Sequence, residues 1–236
     1  MPETKDISRH PSLSSRSFFG RLKGKKLRPG QEEAINFLLP ELLYKPEQTL
    51  EANFIRPYQA YQIEIGFGGG EHLLFQARNN PDTAFIGCEP FINGMAKLLS
   101  RIREEKLENI RLWNRDAAEL LPKLPENRFE KAYLLYPDPW PKRRQRKRRF
   151  LSDVTIPMLA RILFDGAEFR FATDIDDYAG WGLMRLNRSP FFIWEAEKAE
   201  DWQKPWKDWP GTRYEAKALK EGRPPSYLTF KCCAKE

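Results

Sequence analysis

Cysteine and histidine are scarce in this chain of 236 residues, which contains three cysteines and two histidines. Three cysteines cannot build a disulfide framework, and Cys88, Cys232 and Cys233 do not have the spacing of a zinc site. A histidine-based zinc site is equally unexpected, because His10 and His72 are the only histidines. We therefore expect reduced thiols and no bound metal.

Long apolar runs are also missing. No run comes near the roughly 18 residues of a membrane-spanning helix, and the N-terminus is polar and unlike a signal peptide. These absences predict a cytoplasmic protein that does not associate with membranes. The length and the 41% hydrophobic content suffice for one good core. We expect one domain over residues 31–236 and, before it, a basic, flexible extension over residues 1–30 that an anionic partner would order.

Positive charge is concentrated in two segments of the chain. Residues 142–149 carry seven Lys or Arg and no acid, and residues 1–30 carry eight Lys or Arg against two acids. The rest of the chain carries 25 basic and 31 acidic side chains, so the net charge of +7 comes from these two segments. Such a distribution is typical of a protein that neutralises phosphates locally, and we expect Lys142 and the cations after it to contact them.

Short apolar strands alternate with helices along the chain. We predict strands at 61–65, 83–88, 109–113, 131–136, 167–172, 191–196 and 226–232, and helices at 31–43, 71–78, 91–103, 117–121, 151–163 and 177–186. This order predicts a parallel sheet covered on both faces. The last two strands lack a crossover helix and are expected to pair antiparallel. Residues 201–220, rich in Trp and Lys, are predicted to form an irregular insertion.

Glycines lie where the first strand of the predicted sheet meets the next helix. Gly66, Gly68 and Gly70 are expected to let a ligand contact the backbone, although a tight strand-to-helix turn would need the same residues. The preceding Glu64 would repel the diphosphate of a dinucleotide and attract a cationic ligand instead. The glycine spacing also differs from the dinucleotide fingerprint.

Two further acids follow the next two predicted strands. Glu89 lies where an acid can bind a ribose hydroxyl pair, and Asp116 lies where a carboxylate can accept from an adenine amino group. Each alone could be a surface acid or a helix N-cap. Because the carboxyl ends of parallel strands meet at one crevice, these acids and Glu64 are expected to converge there. A sulfonium nucleoside that carries an amino acid, S-adenosylmethionine, fits all three.

The most unusual stretch is Tyr-Pro-Asp-Pro-Trp-Pro-Lys at residues 136–142, which follows the fourth predicted strand. The flanking prolines present Asp138 on a stiff, non-helical backbone, and Trp140 can stack on a flat ring. This pattern indicates chemistry on a nucleic-acid base. The alternatives are a solvated charged loop and, for Asp138, a side chain that caps the following turn.

Together these motifs resemble the bacterial tRNA (guanine-N7)-methyltransferases from Arg16 to the C-terminus. The resemblance is carried by Arg-Ser-Phe to Pro-Gly-Gln (16–31), Glu-Ile-Gly-Phe-Gly (64–68), Gly-Cys-Glu (87–89), Asn-Arg-Asp-Ala (114–117), Pro-Asp-Pro-Trp-Pro-Lys (137–142), Ala-Thr-Asp (172–174) and Thr-Arg-Tyr-Glu (212–215). It implies an α/β, Rossmann-like class I methyltransferase fold. Such a fold has a seven-stranded, mostly parallel sheet, an antiparallel last strand and helices on both faces.

The resemblance also implies a reaction and a set of site residues. S-adenosylmethionine is the implied methyl donor, and N7 of a guanine in the variable loop of tRNA (position 46) is the implied target. The implied donor residues are Glu64, Glu89, Asp116 and Asp138, and the implied RNA residues are Lys142, Asp174, Thr212, Arg213, Tyr214 and Glu215. The oligomeric state stays open between monomer and homodimer.

Guanine N7 has a lone pair and no proton, so its methylation needs no general base. Asp138 is therefore expected to act in catalysis by positioning and electrostatics. From its place in the sequence, Asp174 could accept from the guanine edge or cap the next helix. The competing functions are a methyltransferase for adenine N6, a non-catalytic RNA-binding protein, and a nicotinamide oxidoreductase, which Glu64 and the glycine spacing oppose.

Overall fold

The computed structural model describes residues 19–233, which contain one seven-stranded sheet. Its strands are β1 (Ala60–Ile65), β2 (Thr83–Cys88), β3 (Ile110–Trp113), β4 (Phe129–Leu135), β5 (Leu163–Thr173), β6 (Phe192–Trp194) and β7 (Ser226–Cys232). They lie in the order β3-β2-β1-β4-β5-β7-β6. Strands β1 to β5 are parallel, and β7 is antiparallel to both β5 and β6. The predicted mostly parallel sheet with an antiparallel last strand is confirmed.

The helices are α1 (Pro29–Glu33), α2 (Leu39–Leu42), α3 (Glu71–Asn79), α4 (Ile92–Glu105), α5 (Ala117–Leu120), α6 (Thr155–Ile162), α7 (Asp176–Arg188), α8 (Glu200–Gln203) and α9 (Arg213–Lys220). Short 3-10 turns cover Glu51–Asn53, Leu121–Lys123 and Arg143–Arg148. Among residues 19–233, no helix combines the length and the apolar character needed to cross a membrane.

Alternating side chains of the strands build a core on each face of the sheet. Ile63 and Ile86 pack on one face with residues of α6 and α7, whereas Phe85 and Leu112 pack on the other face with residues of α3 and α4. Successive residues of a strand point to opposite faces, so a sheet with both faces buried needs apolar residues throughout. The predicted covering of both faces is confirmed.

The predicted first helix, 31–43, is interrupted in the structure. A π-helical turn, Ala34–Leu38, separates α1 from α2, and the N–H of Leu39 donates to the carbonyl of Ala34. Pro40 follows at once and has no N–H to continue the α-helical pattern, which explains the wider turn.

The prediction of an irregular insertion over residues 201–220 is wrong at both ends, because residues 201–203 belong to α8 and residues 213–220 form α9. Thr212 caps α9: its Oγ1 accepts from the N–H of Glu215 at 3.1 Å, and the Glu215 carboxylate accepts from the N–H of Thr212 at 3.3 Å. This reciprocal pair is a capping box, whose Thr-x-x-Glu pattern is readable in the sequence.

Residues 19–28, placed in the extension by the sequence, lie against the domain. The carbonyl of Leu22 accepts from the N–H of Ile92 at 3.0 Å, and the Asn93 side chain bonds the backbone of Gly24 and of Lys25, both at 2.7 Å. Residues 1–18 lie outside the described part, so the predicted flexible extension stays a prediction.

Helix α4 approaches the glycine turn after β1 very closely. A Cβ on Gly94, in the first turn of α4, would lie 2.1 Å from the carbonyl oxygen of Gly68. Only a glycine at position 94 therefore allows α4 to contact the turn without moving backbone.

We predict that Gly94→Ala lowers the free energy of unfolding by about 1–3 kcal/mol, because the methyl group must displace the turn. The matched control is Gly180→Ala in α7, where the added Cβ meets no atom within 4 Å. That variant should gain about 0.5–1 kcal/mol from helix propensity alone. Denaturant unfolding of both variants checks the pair, and equal effects would contradict the close contact.

Candidate active site

A cavity of about 390 Å³ opens at the carboxyl ends of β1, β2 and β4. Its lining includes five of the residues predicted to hold the donor, Gly66, Gly68, Glu89, Asp116 and Asp138. Parallel strands end at the same edge of a sheet, which is why residues so distant in sequence meet here.

The glycine turn leaves room on one wall of this cavity. Gly66 has φ of +74°, and a Cβ there would meet no atom within 4 Å, so it borders open space. A side chain at this position would be strained and would fill the cavity. Gly70 does not line the cavity and instead allows close packing of Leu98. A Cβ on Gly70 would lie 2.6 Å from the Leu98 side chain. Donor contact by Gly70 stays a prediction.

Glu89 ties the end of β2 to the glycine turn. Its carboxylate accepts from the N–H of Gly68 at 2.7 Å and from that of Phe91 at 2.8 Å. Burial raises the pKa of Glu89, the two backbone hydrogen bonds oppose that rise, and the charge of Asp138 adds to it. Across the cavity, Asp116 accepts from the N–H of Ala118 at 3.0 Å and caps α5, so both carboxylates are firmly oriented.

Glu64 lies behind the turn and does not border the cavity. It is 3% exposed, and its Oε2 lies 2.7 Å from Nδ1 of His72. The His72 ring contacts Tyr133 and Trp209, with ring centroids 4.5 and 5.2 Å apart. A donor contact by Glu64 stays a prediction. Nothing local in the sequence marks His72 as the partner of Glu64.

The loop after β4 carries Asp138 between two strained residues. Tyr136 has φ of +48° and Trp140 has φ of +41°, which is uncommon for bulky side chains and costs of order 1–3 kcal/mol for each. Asp138 is open to solvent through the cavity mouth, but the surrounding protein still raises its pKa by desolvation. The loop therefore holds one carboxylate in a defined position.

The basic segment after this loop is divided by burial. Arg149 is 1% exposed and donates from Nε to the carbonyl of Pro139 at 2.8 Å. It also pairs with Asp177 on α7, which Arg146 contacts at 2.6 Å. The guanidinium of Arg149 lies over the ring of Trp181 at 5.1 Å. The expectation that all cations of 142–149 contact phosphates is therefore wrong for Arg149, because burial hides it.

Besides Arg149 and the Asp177-paired Arg146, the segment has four exposed cations and one in the cavity wall. Lys142, Arg143, Arg144 and Lys147 are exposed, and Arg148 is half-buried in the cavity wall. The exposed four form what we call the basic surface.

We predict that Arg149→Met lowers the free energy of unfolding by on the order of 2–3 kcal/mol, because it leaves the Pro139 carbonyl and Asp177 without a buried partner. Arg143→Gln, which removes an exposed cation from the same segment, should stay within about 0.5 kcal/mol of wild type. Denaturant unfolding of both variants distinguishes a buried anchor from a solvated charge. Equal stabilities would contradict the assignment of Arg149.

Of the predicted RNA residues, Tyr214 and Arg213 lie nearest to the cavity. The Tyr214 ring lies 3.2 Å from the Cβ position of Gly68 and lines the cavity, and Nη2 of Arg213 donates to the Tyr214 hydroxyl at 3.0 Å. Tyr214 is 45% exposed, so it closes the cavity on one side while remaining accessible. Lys142 lies on the basic surface.

Three other predicted RNA residues have partners within the protein. Asp174 accepts from Nε of Arg223 at 2.8 Å and does not cap α7, whose N-cap is Ile175, so that alternative is wrong. Thr212 caps α9. Glu215 is 8% exposed and accepts from Trp209 Nε1 at 2.8 and 2.9 Å. Their RNA contacts stay predictions.

Metal ligation finds no support in the part of the chain that the structure describes. Within residues 19–233, no group of three or more His, Cys, Asp and Glu side chains is arranged to hold a metal ion.

The sheet order, the glycine turn and the acids at the strand ends define a class I methyltransferase fold. Two solved structures share it: the antibiotic-resistance methyltransferase Kmr (TM-score 0.55, 17% identity, 82% of this chain and 95% of that chain) and the 16S rRNA methyltransferase KamB (TM-score 0.51, 16% identity, 75% and 90%). At these identities the likeness concerns the fold alone.

Sequence comparison gives the family. A family model described as "Putative methyltransferase" matches residues 58–227. Proteins named tRNA (guanine-N(7)-)-methyltransferase from Chelativorans sp. (strain BNC1) and Agrobacterium fabrum (strain C58) are 49% identical over 226 residues and 51% identical over 223 residues. These alignments cover 94% and 93% of this chain and 97% and 96% of the relatives. The chain belongs to the tRNA (guanine-N(7)-)-methyltransferase family, which confirms the resemblance.

Proposed function

We propose that this protein transfers a methyl group from S-adenosylmethionine to N7 of a guanine in the variable loop of tRNA (position 46). The observation that carries the proposal is the cavity in which Asp138, clamped between prolines, faces the glycine turn and Glu89. The names of relatives at about 50% identity support tRNA as substrate and guanine N7 as acceptor. A tRNA substrate is consistent with a cytoplasmic protein.

The lining of the cavity fits the donor. The open space at Gly66 leaves room for a ligand against the backbone, and the Glu89 carboxylate, already oriented by two N–H groups, can accept from ribose hydroxyls. Asp116 lies at the end of β3, where it can accept from an adenine amino group. The charge of Asp138 adds to the raised pKa of Glu89, and a cationic ligand relieves that repulsion. When bound, S-adenosylmethionine supplies the activated methyl group.

Asp138 serves the reaction by position and by charge. N7 attacks with its own lone pair, so no residue needs to remove a proton. Positive charge develops on the purine during the transfer, and a fixed carboxylate beside it stabilises that charge. The strained loop that holds Asp138 limits reorganisation at that moment. The basic surface would bind the tRNA backbone outside the cavity.

We expect incubation with unmodified tRNA and labelled S-adenosylmethionine to give 7-methylguanosine, with mapping placing it in the variable loop. Nucleoside analysis by mass spectrometry tests the reaction. A product dominated by 6-methyladenosine would assign the protein to adenine instead. Tight tRNA binding without any transfer would favour a non-catalytic RNA-binding protein.

The matched variant for this experiment is Asp138→Ala. It should abolish transfer, because the developing charge loses its carboxylate, and leave tRNA affinity within a few-fold of wild type, because the basic surface is intact. Transfer within a few-fold of wild type would show that Asp138 does not have this role.

We also predict that acid weakens binding of S-adenosylmethionine more than binding of S-adenosylhomocysteine, which lacks the sulfonium charge. Burial raises the pKa of Asp138 and of Glu89, so they begin to protonate above the ordinary carboxylate range of about 4. A protonated carboxylate no longer attracts the cation. Calorimetry should therefore show that the affinity for S-adenosylmethionine, divided by the affinity for S-adenosylhomocysteine, falls several-fold when the pH is lowered from about 7.5 to about 5. A constant ratio would contradict the electrostatic role of these acids.

A further inference from the structure

One cation of the basic segment differs from its neighbours in where it lies. Among the seven cations of 142–149, all within the described chain, Arg148 is the one that lines the cavity. It therefore shares the lining of the cavity with Asp138.

Two aromatic rings lie against this side chain. The guanidinium carbon of Arg148 lies 4.4 Å from the ring centroid of Phe19 and 4.9 Å from that of Trp140. Stacking of this kind favours a guanidinium and limits its motion. Because two aromatic rings already lie against this guanidinium, the edge that carries its N–H groups is the part that suits a ligand.

That edge lacks an acidic partner in the described chain. No carboxylate of residues 19–233 lies within ion-pair distance of Arg148, and its buried Nε finds no hydrogen-bond acceptor among them. Arg146 and Arg149, by contrast, both pair with Asp177. A planar, pre-oriented guanidinium edge matches the oxygens of a phosphate or a carboxylate.

We propose that Arg148 binds the backbone phosphate of the nucleotide whose base enters the cavity, and thereby positions that base against Asp138. The inference rests on the proposed function. Trp140 links the two groups, since it stacks on Arg148 and lies two residues after Asp138 in the strained loop. A phosphate held at Arg148 is one ribose away from its base, so a single contact sets how the base meets the carboxylate.

The same anion-binding edge could instead take the carboxylate of the methyl donor. Two observations favour the phosphate. Arg148 is continuous with the exposed cations Arg144 and Lys147, which suit an RNA backbone, and it lies in the segment after β4 rather than in the glycine turn after β1. The experiment separates the two sources by measuring donor affinity directly.

The test combines a protein variant with a modified RNA. The RNA carries one neutral methylphosphonate in place of the phosphate 5′ to the methylated guanosine. Single-turnover transfer at saturating RNA, RNA affinity, and affinity for S-adenosylhomocysteine are measured for wild type, Arg148→Gln, Arg148→Lys and Arg144→Gln.

For wild type, the neutral linkage should slow transfer roughly 10- to 100-fold, as expected for loss of a charged hydrogen-bonded contact. Arg148→Gln should be slowed by a similar factor on natural RNA and show no further loss on the modified RNA. Arg148→Lys should keep most of the RNA affinity and lose much of the rate, because it retains charge without the planar edge. Arg144→Gln should respond to the neutral linkage as wild type does.

If the neutral linkage slowed transfer by Arg148→Gln as much as it slows transfer by wild type, the two losses would be independent and the assignment would be overturned. So would wild-type transfer rates in Arg148→Lys, or a similar drop in affinity for S-adenosylhomocysteine in Arg148→Gln, which would identify the donor carboxylate as the ligand. If wild type methylates guanine but the effects of Arg148→Gln and of the neutral linkage are not coupled, only the role of Arg148 is overturned. Absence of 7-methylguanosine in wild type would overturn the proposed function and this role together.

Discussion

The buried guanidinium of Arg149 is the contact on which the candidate site depends. The loop that presents Asp138 contains two bulky residues with positive φ, and such strain persists only where the surroundings hold it. Arg149 donates to the carbonyl of Pro139 in the middle of that loop and pairs with Asp177 on α7. A helix packed on the sheet thus supports the position of the carboxylate through one side chain. Replacing that guanidinium removes a support for which the loop has no evident substitute.

The opposite wall of the cavity is held by backbone contacts. Glu89 bonds the N–H of Gly68, and Gly94 lets α4 touch the same turn. The Glu89 carboxylate therefore orients the turn and also stands in the cavity where a ribose would bind. Tyr214 lies in the segment between β6 and β7 and covers this turn. Trp209 anchors that segment, because it donates to Glu215 and packs against the ring of His72. The two walls and Tyr214 come from distant parts of the chain, which meet because parallel strands end together.

Local patterns in the sequence predicted most of the fold and the position of the cavity, but not which side chains bind one another. The bounds of β2 and β7 are as predicted, since apolar runs bounded by turn residues depend on neighbours in sequence. The Thr-x-x-Glu pattern that caps α9 is present in the sequence, but the predicted irregular insertion did not include this helix. The pairing of Glu64 with His72 and the burial of Arg149 were not readable, because they depend on helices packing against distant segments. A run of seven cations looks uniform in sequence and becomes four kinds of residue in the fold: the buried Arg149, the ion-paired Arg146, the cavity-lining Arg148 and four exposed cations.

This division has a physical consequence for how RNA can approach. The cavity is lined by the carboxylates of Glu89, Asp116 and Asp138, whereas the four exposed cations of the basic surface do not line it. Carboxylates in a partly desolvated cavity repel phosphates, and Arg21 and Arg148 are the cations among its lining residues. A neutral base does not meet that barrier, and a base that becomes cationic during the reaction is favoured by it. Under the proposed function, the field of the site would therefore favour a base over a phosphate inside the cavity, and Arg148 would hold the phosphate at the cavity wall.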